Sequence, residues 1–171
     1  MRDYPHITDR ERFAVLHATA DALLDEFTER YVVERRETKE SLGPDEALVR
    51  VVRLIPRTPA AAPLAIAFTD VPGLSMQLGR WWTQIMPGRG SDEEPSRLVE
   101  QLRVQWAALV EGGLWERVRR GVRGSWFETK LIGVGIDAEH DGPLSASAAR
   151  EARRAGFAAP VQWAPWPRRF C

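Results

Sequence analysis

The feature that most constrains this chain is a succession of short β-prone runs separated by turn residues between Tyr31 and Met86. Tyr31–Lys39 reads as a strand and ends at Leu42-Gly43-Pro44-Asp45, a cluster with turn chemistry. Ala47–Arg57 follows, with Val49, Val51, Val52, Leu54 and Ile55 supplying the branched and apolar side chains that suit a pleated surface. Thr58–Pro63 carries prolines that cannot continue a ladder, so it is a connection. Leu64–Thr69 is a third strand, broken at Asp70-Val71-Pro72-Gly73, and Leu74–Met86 a fourth, with room for a bulge at Gly79. Strands this close in sequence, joined by turns this short, pair antiparallel.

Helical periodicity frames these runs. Phe13, Leu16, Ala20, Leu23, Leu24, Phe27 and Tyr31 recur at steps of three and four and form one apolar stripe. Thr8 and Glu11 have the spacing of a capping box at its start, so a helix is predicted over about 8–30. A second helix is predicted over Pro95–Glu111, capped by Ser91, with Leu98, Leu102, Trp106 and Leu109 inward and Gly112-Gly113 as its stop. Leu114–Arg120 and Ser125–Gly133 alternate around Gly121-Val122-Arg123-Gly124, the pattern of a hairpin. A polar turn then leads to a third helix over about 146–155, and the tail from about 159 to 171 reads as extended and docked. The expected architecture is α+β, in the order α-β-β-β-β-α-β-β-α: one mainly antiparallel sheet of about six strands with helices on one face. At 171 residues it is expected to be one domain spanning 1–171.

Charge and cysteine usage narrow the function classes. Twenty-four basic residues balance 24 acidic ones, so no global field steers the chain toward nucleic acid or an acidic membrane. The single cysteine, Cys171, permits neither an internal disulfide nor a thiolate metal cluster. No stretch approaches the roughly 20 apolar residues that span a bilayer, and Met1-Arg2-Asp3 does not begin a signal-like run. A cytoplasmic protein without cofactor or membrane association is the expectation.

Motifs that carry chemistry are few. Asp137, Glu139 and Asp141, followed by Gly142, fall at the first positions of a calcium loop. Pro143 and Ala148 then occupy places that should hold a ligand, so the segment reads as a solvated acidic turn. Gly88-Arg89-Gly90 precedes a helix whose own Asp92, Glu93 and Glu94 already complement the positive helix end, which argues against phosphate binding. His6, His17 and His140 form no triad with a nucleophile. No catalytic or metal-ligating residue is assigned.

One pattern suits recognition. Arg80 and Trp82 lie on the predicted fourth strand; Trp115, Arg117, Arg119 and Trp126 lie on the final hairpin, where alternation puts Trp115, Arg117 and Arg119 on one face. Arginine beside tryptophan suits anionic planar ligands, acidic protein surfaces or single-stranded nucleic acid. A solvated sheet face in which arginine stems cover indoles is the plain alternative.

Gly-Ser-Trp-Phe-Glu-Thr (124–129), Ala-Gly-Phe-Ala-Ala-Pro (155–160) and Trp-Ala-Pro-Trp-Pro-Arg-Arg (163–169) resemble an uncharacterised actinobacterial family, a domain of unknown function. The likeness covers most of the chain. It implies no activity, but it implies a Cys-Gly-Cys-Asp-x-Cys segment where this sequence has Arg89, Ser91 and Glu94 at the cysteine positions. Zinc or redox chemistry is therefore not expected here.

Two functions remain. The first is a non-catalytic binding module, immunity-type or accessory, that recognises another protein through the tryptophan and arginine face. The second is a small enzyme with a carboxylate and arginine pocket using Glu128 and Arg123, since Glu128 follows Trp126-Phe127 and desolvation there would raise its pKa. Nucleic acid is disfavoured by the charge balance.

Overall fold

A computed structural model describes residues 9–41, 43–44, 47–69, 73–86 and 94–170. His6, Thr8 and the Arg89-Gly90-Ser91-Asp92-Glu93 segment lie outside the described residues. The fold is α+β, with three helices and nine strands among the described residues, in two antiparallel sheets of five and four strands.

The first helix, α1 (Asp9–Arg30), buries Leu16, Ala20, Leu23, Leu24 and Phe27, the stripe expected from its periodicity. Five strands follow as a meander: β1 (Val33–Ser41), β2 (Leu48–Pro56), β3 (Leu64–Phe68), β4 (Leu74–Leu78) and β5 (Trp82–Met86), in spatial order one to five. Register puts Leu54, Leu64, Leu78 and Trp82 in one row across four strands, and Val52, Ile66 and Met76 in the next. All of these are buried and share a core with α1 and with α2 (Pro95–Val110), whose Leu98, Leu102, Trp106 and Leu109 face inward.

The expected long strand 74–86 is instead the hairpin β4–β5. Gly79 adopts φ +63°, the left-handed region that glycine enters without steric cost. A Cβ at that position would lie 2.4 Å from Leu114 Cδ2, so the turn also needs glycine to pack. That split turns the six expected strands into seven, and two more, over residues 136–144 and 161–162, bring the described residues to nine, divided into two sheets.

The second sheet contains β6 (Leu114–Gly121), β7 (Gly124–Gly133), β8 (Ile136–Leu144) and β9 (Val161–Gln162), in the order β8-β7-β6-β9. The hairpin around Gly121–Gly124 forms as expected. The expected acidic turn is strand β8, paired with β7 along its length. Two local features allow this: β8 is an edge strand, where Pro143 removes no needed ladder donor, and Gly142 meets Phe127, whose Cε1 would lie 2.6 Å from an added Cβ. Helix α3 (Ala146–Arg154), capped by Ser145 Oγ accepting from Ala148 N at 3.2 Å, covers one end of this sheet. There Ala149, Ala152 and Phe157 form a second, smaller core with Val118.

The tail ties the sheets together. Trp163 N donates to Leu114 O, Ala164 N to Ala60 O and Trp166 N to Val110 O. The buried Trp166 indole donates to Ala62 O at 2.8 Å.

Candidate recognition face

The four-stranded sheet has two chemically distinct faces, and strict alternation along β6 separates them. Leu114, Glu116 and Val118 point inward, whereas Trp115, Arg117 and Arg119 point outward. Cross-strand pairing then builds the outer face in rows: Trp115 opposite Lys130 and Glu139, Arg117 opposite Glu128 and Asp141, and Arg119 opposite Trp126 and Pro143. Five of the residues singled out from sequence thus share one surface: Trp115, Arg117, Arg119, Trp126 and Glu128.

Both outward indoles remain exposed, Trp115 at 36% and Trp126 at 39%. Beside Trp115 runs a groove of roughly 690 Å³ lined by Trp115, Arg117, Glu128, Lys130 and Ile132 among others. Apart from Asp141, the charges beside it are paired. Glu128 accepts from Arg117 Nε, and Arg119 Nε lies 3.0 Å from its other oxygen. Lys130 Nζ sits 2.9 Å from Glu139 and 3.2 Å from Asp137. These strand-borne carboxylates thus hold an ammonium on an open face, a different setting from a calcium loop.

Arg80 and Trp82 do not join this face, which corrects the expectation that they would. The β4–β5 turn carries Arg80 beneath the opposite side of the sheet, where its guanidinium lies 5.5 Å from the Trp81 ring and 5.3 Å from Phe157 and bonds Glu151 at 2.9 Å. Trp82 is 1% exposed and packs edge-on against His140 with ring centroids 4.3 Å apart. The seven tryptophans therefore split: Trp82, Trp106 and Trp166 are buried, Trp81 and Trp163 are half-buried between elements, and Trp115 and Trp126 face water. Arg123 sits exposed in the β6–β7 turn, and Glu128 is held by Arg117 and Arg119 instead.

The desolvated carboxylate among the described residues is Glu116, which no sequence motif singles out. At 1% exposure it accepts from Trp81 N at 2.7 Å, from Arg80 N at 3.0 Å and from the Trp163 indole at 2.7 Å. Burial pushes its carboxyl above the ordinary range, against the pull of those three donors and of the Arg80 guanidinium. One residue therefore fastens the first sheet's turn and the tail to β6. The signal in the sequence was a glutamate at an inward position between Leu114 and Val118. Chemically it is committed: every near donor already points at it.

No curated protein and no solved structure shows significant similarity to this chain. The chain matches over residues 1–170, and belongs to, the family of unknown function DUF6226, in keeping with the expected uncharacterised domain of unknown function.

Proposed function

We propose that this chain is a non-catalytic binding module that recognises a protein surface through the outer face of β6, β7 and β8. What carries the reading is the pair of exposed indoles, Trp115 and Trp126, set beside Arg117 and Arg119 on one sheet face, with a groove at Trp115 and Arg117. Tryptophan and arginine are the residues that most often dominate protein interfaces, because each covers a large area and keeps a directional polar group. The cations of this face are matched by carboxylates, so it lacks the continuous positive stripe that nucleic acid requires. The same reading has the module acting in the cytoplasm, where a chain with one cysteine needs no oxidising compartment. Among the described residues no helix is long and apolar enough to cross a membrane.

The enzyme reading retains one supporting observation, the groove beside Glu128. Against it, Arg117 and Arg119 already occupy that carboxylate.

The test uses the tagged full-length chain as bait, and titrates whichever protein is captured, this chain included, against wild type, Trp115→Ala and Arg119→Ala. Weakening of at least about ten-fold in either variant is expected, in the range of interface hot spots. Unchanged affinity in both variants sinks the reading.

A further inference from the structure

The charges of the outer face are unevenly distributed. On the β6 side, two guanidiniums, Arg117 and Arg119, share the single carboxylate of Glu128. On the β8 side, two carboxylates, Asp137 and Glu139, share the single ammonium of Lys130. Asp141, also on β8, has no ion-pair partner among the described residues. The β6 side is left with surplus positive charge and the β8 side with surplus negative charge, two strands and roughly 10 Å apart.

We infer that the protein surface recognised by this face is the same face of a second copy, in a two-fold symmetric dimer. This rests on the binding-module reading and names its partner. A two-fold axis running along β7, midway between the facing sheets, lays β6 of each copy over β8 of the other. Rows stay in step under that operation, because position along the strands is unchanged. Arg117 shares its row with Asp141, so the guanidinium of each copy meets the unpaired carboxylate of the other. Trp126 lies on the middle strand, so the Trp126 indoles of the two copies meet near the axis, where Glu128 and Lys130, each neutralised by ion pairs within its own copy, also face their counterparts. An isologous interface must be self-complementary in this way, and a face of single sign could not be.

Two other arrangements are disfavoured by the same charges. An axis across the strands lays β6 over β6, and arginine over arginine. Pairing of the free β8 edges brings Asp137, Glu139 and Asp141 of one copy beside those of the other, and like charges directly opposite destabilise a ladder.

Sedimentation equilibrium of the full-length chain tests this. Wild type is expected at twice the 19.3 kDa chain mass. Arg117→Glu alone and Asp141→Arg alone are each expected to weaken association at least about ten-fold, with circular dichroism spectra unchanged, since both positions are at the surface. Mixing the two variants is expected to restore a heterodimer, because both symmetry-related contacts then pair opposite charges, one native and one swapped. A wild-type chain that stays monomeric up to about 1 mM, a range that covers even weak association, overturns the inference. So does a dimer that survives both single reversals, since its contact then lies elsewhere. A monomer leaves the broader reading standing on the Trp115→Ala and Arg119→Ala titration, so the two failures are distinguishable.

Discussion

Glu116 and Glu128 stand on neighbouring strands of one hairpin, on opposite faces of one sheet. Glu116 is sealed and held by neutral N–H donors; Glu128, its side chain 26% exposed, is held by two guanidiniums that water also reaches. A carboxylate deprived of water is expensive to abandon, so Glu116 does architecture. A carboxylate in water with cations beside it can exchange partners at little cost, so Glu128 belongs to a surface. Removing each in turn should therefore give very different results. Glu116→Ala strands the N–H groups of Arg80, Trp81 and Trp163 in a dry interior, where an unmet donor costs roughly 1–3 kcal/mol. The expected loss is about 3 kcal/mol or more, which lowers the melting temperature of a domain this size by at least about 6 °C. A change below about 1 kcal/mol on chemical denaturation would show that water replaces the carboxylate freely, and the contrast would be lost.

The next largest effect lies on the turn that Glu116 grips. Gly79→Ala places a Cβ 2.4 Å from Leu114 Cδ2 and forces an L residue to φ +63°. Left-handed strain and overpacking together are expected to cost about 2 kcal/mol. Combining Gly79→Ala with Glu116→Ala should cost less than the sum, because the turn is already released once its acceptor is gone. Strict additivity would mean that the turn does not depend on the carboxylate.

A titration sharpens the comparison further. Burial raises the folded-state pKa of Glu116 above the ordinary 4.5, so the folded protein holds that proton more tightly than the unfolded chain. Its contribution to stability is then full below pH 4.5 and is lost as pH rises through the folded value. Paired carboxylates on β1 act in the opposite sense. Arg53, with help from Thr38, holds Glu40 at about 2, so that pair weakens as pH falls from 4.5 toward that value. Above pH 4.5 the two effects separate. The melting-temperature gap between wild type and Glu116→Gln should narrow with rising pH. A gap for Glu116 that widens would mean that the three donors and the Arg80 guanidinium outweigh burial.

How much of this was legible depends on whether the cause was local. The stripe of α1, the inward face of α2 and the hairpin around Gly121–Gly124 follow from spacing and turn chemistry, and all three appear in the structure. Alternation alone put Trp115, Arg117 and Arg119 on one face. What escaped was set by distant segments. Leu74–Met86 reads as continuous because nothing nearby marks Gly79 as a reversal; the acceptor that holds the turn lies 36 residues further on. Trp81 and Trp82 look alike in sequence, yet one stacks on Phe127 and the other enters the core. Glu128 attracted notice through its aromatic neighbours, but strand alternation turns those neighbours to either face, and the glutamate desolvated by tertiary packing was Glu116.

The smallest expected effect on stability is the one that most directly tests the surface role. Glu128→Gln leaves Arg117 and Arg119, whose side chains are 42% and 64% exposed, to be solvated by water. Exposed ion pairs contribute about 0–1 kcal/mol, so its unfolding free energy should change by less than about 1 kcal/mol. Trp126→Ala should behave alike, because a residue 39% exposed and opposite Arg119 across the ladder leaves no sealed cavity when truncated. If that truncation instead costs about 3 kcal/mol, as removal of a buried aromatic does, Trp126 is part of the packing and its indole is not available to another molecule. If stability holds while the tryptophan fluorescence of the dilute, dissociated chain loses a quenchable, water-accessible component, the two faces of the sheet are as different in energy as Glu116 and Glu128 make them in chemistry.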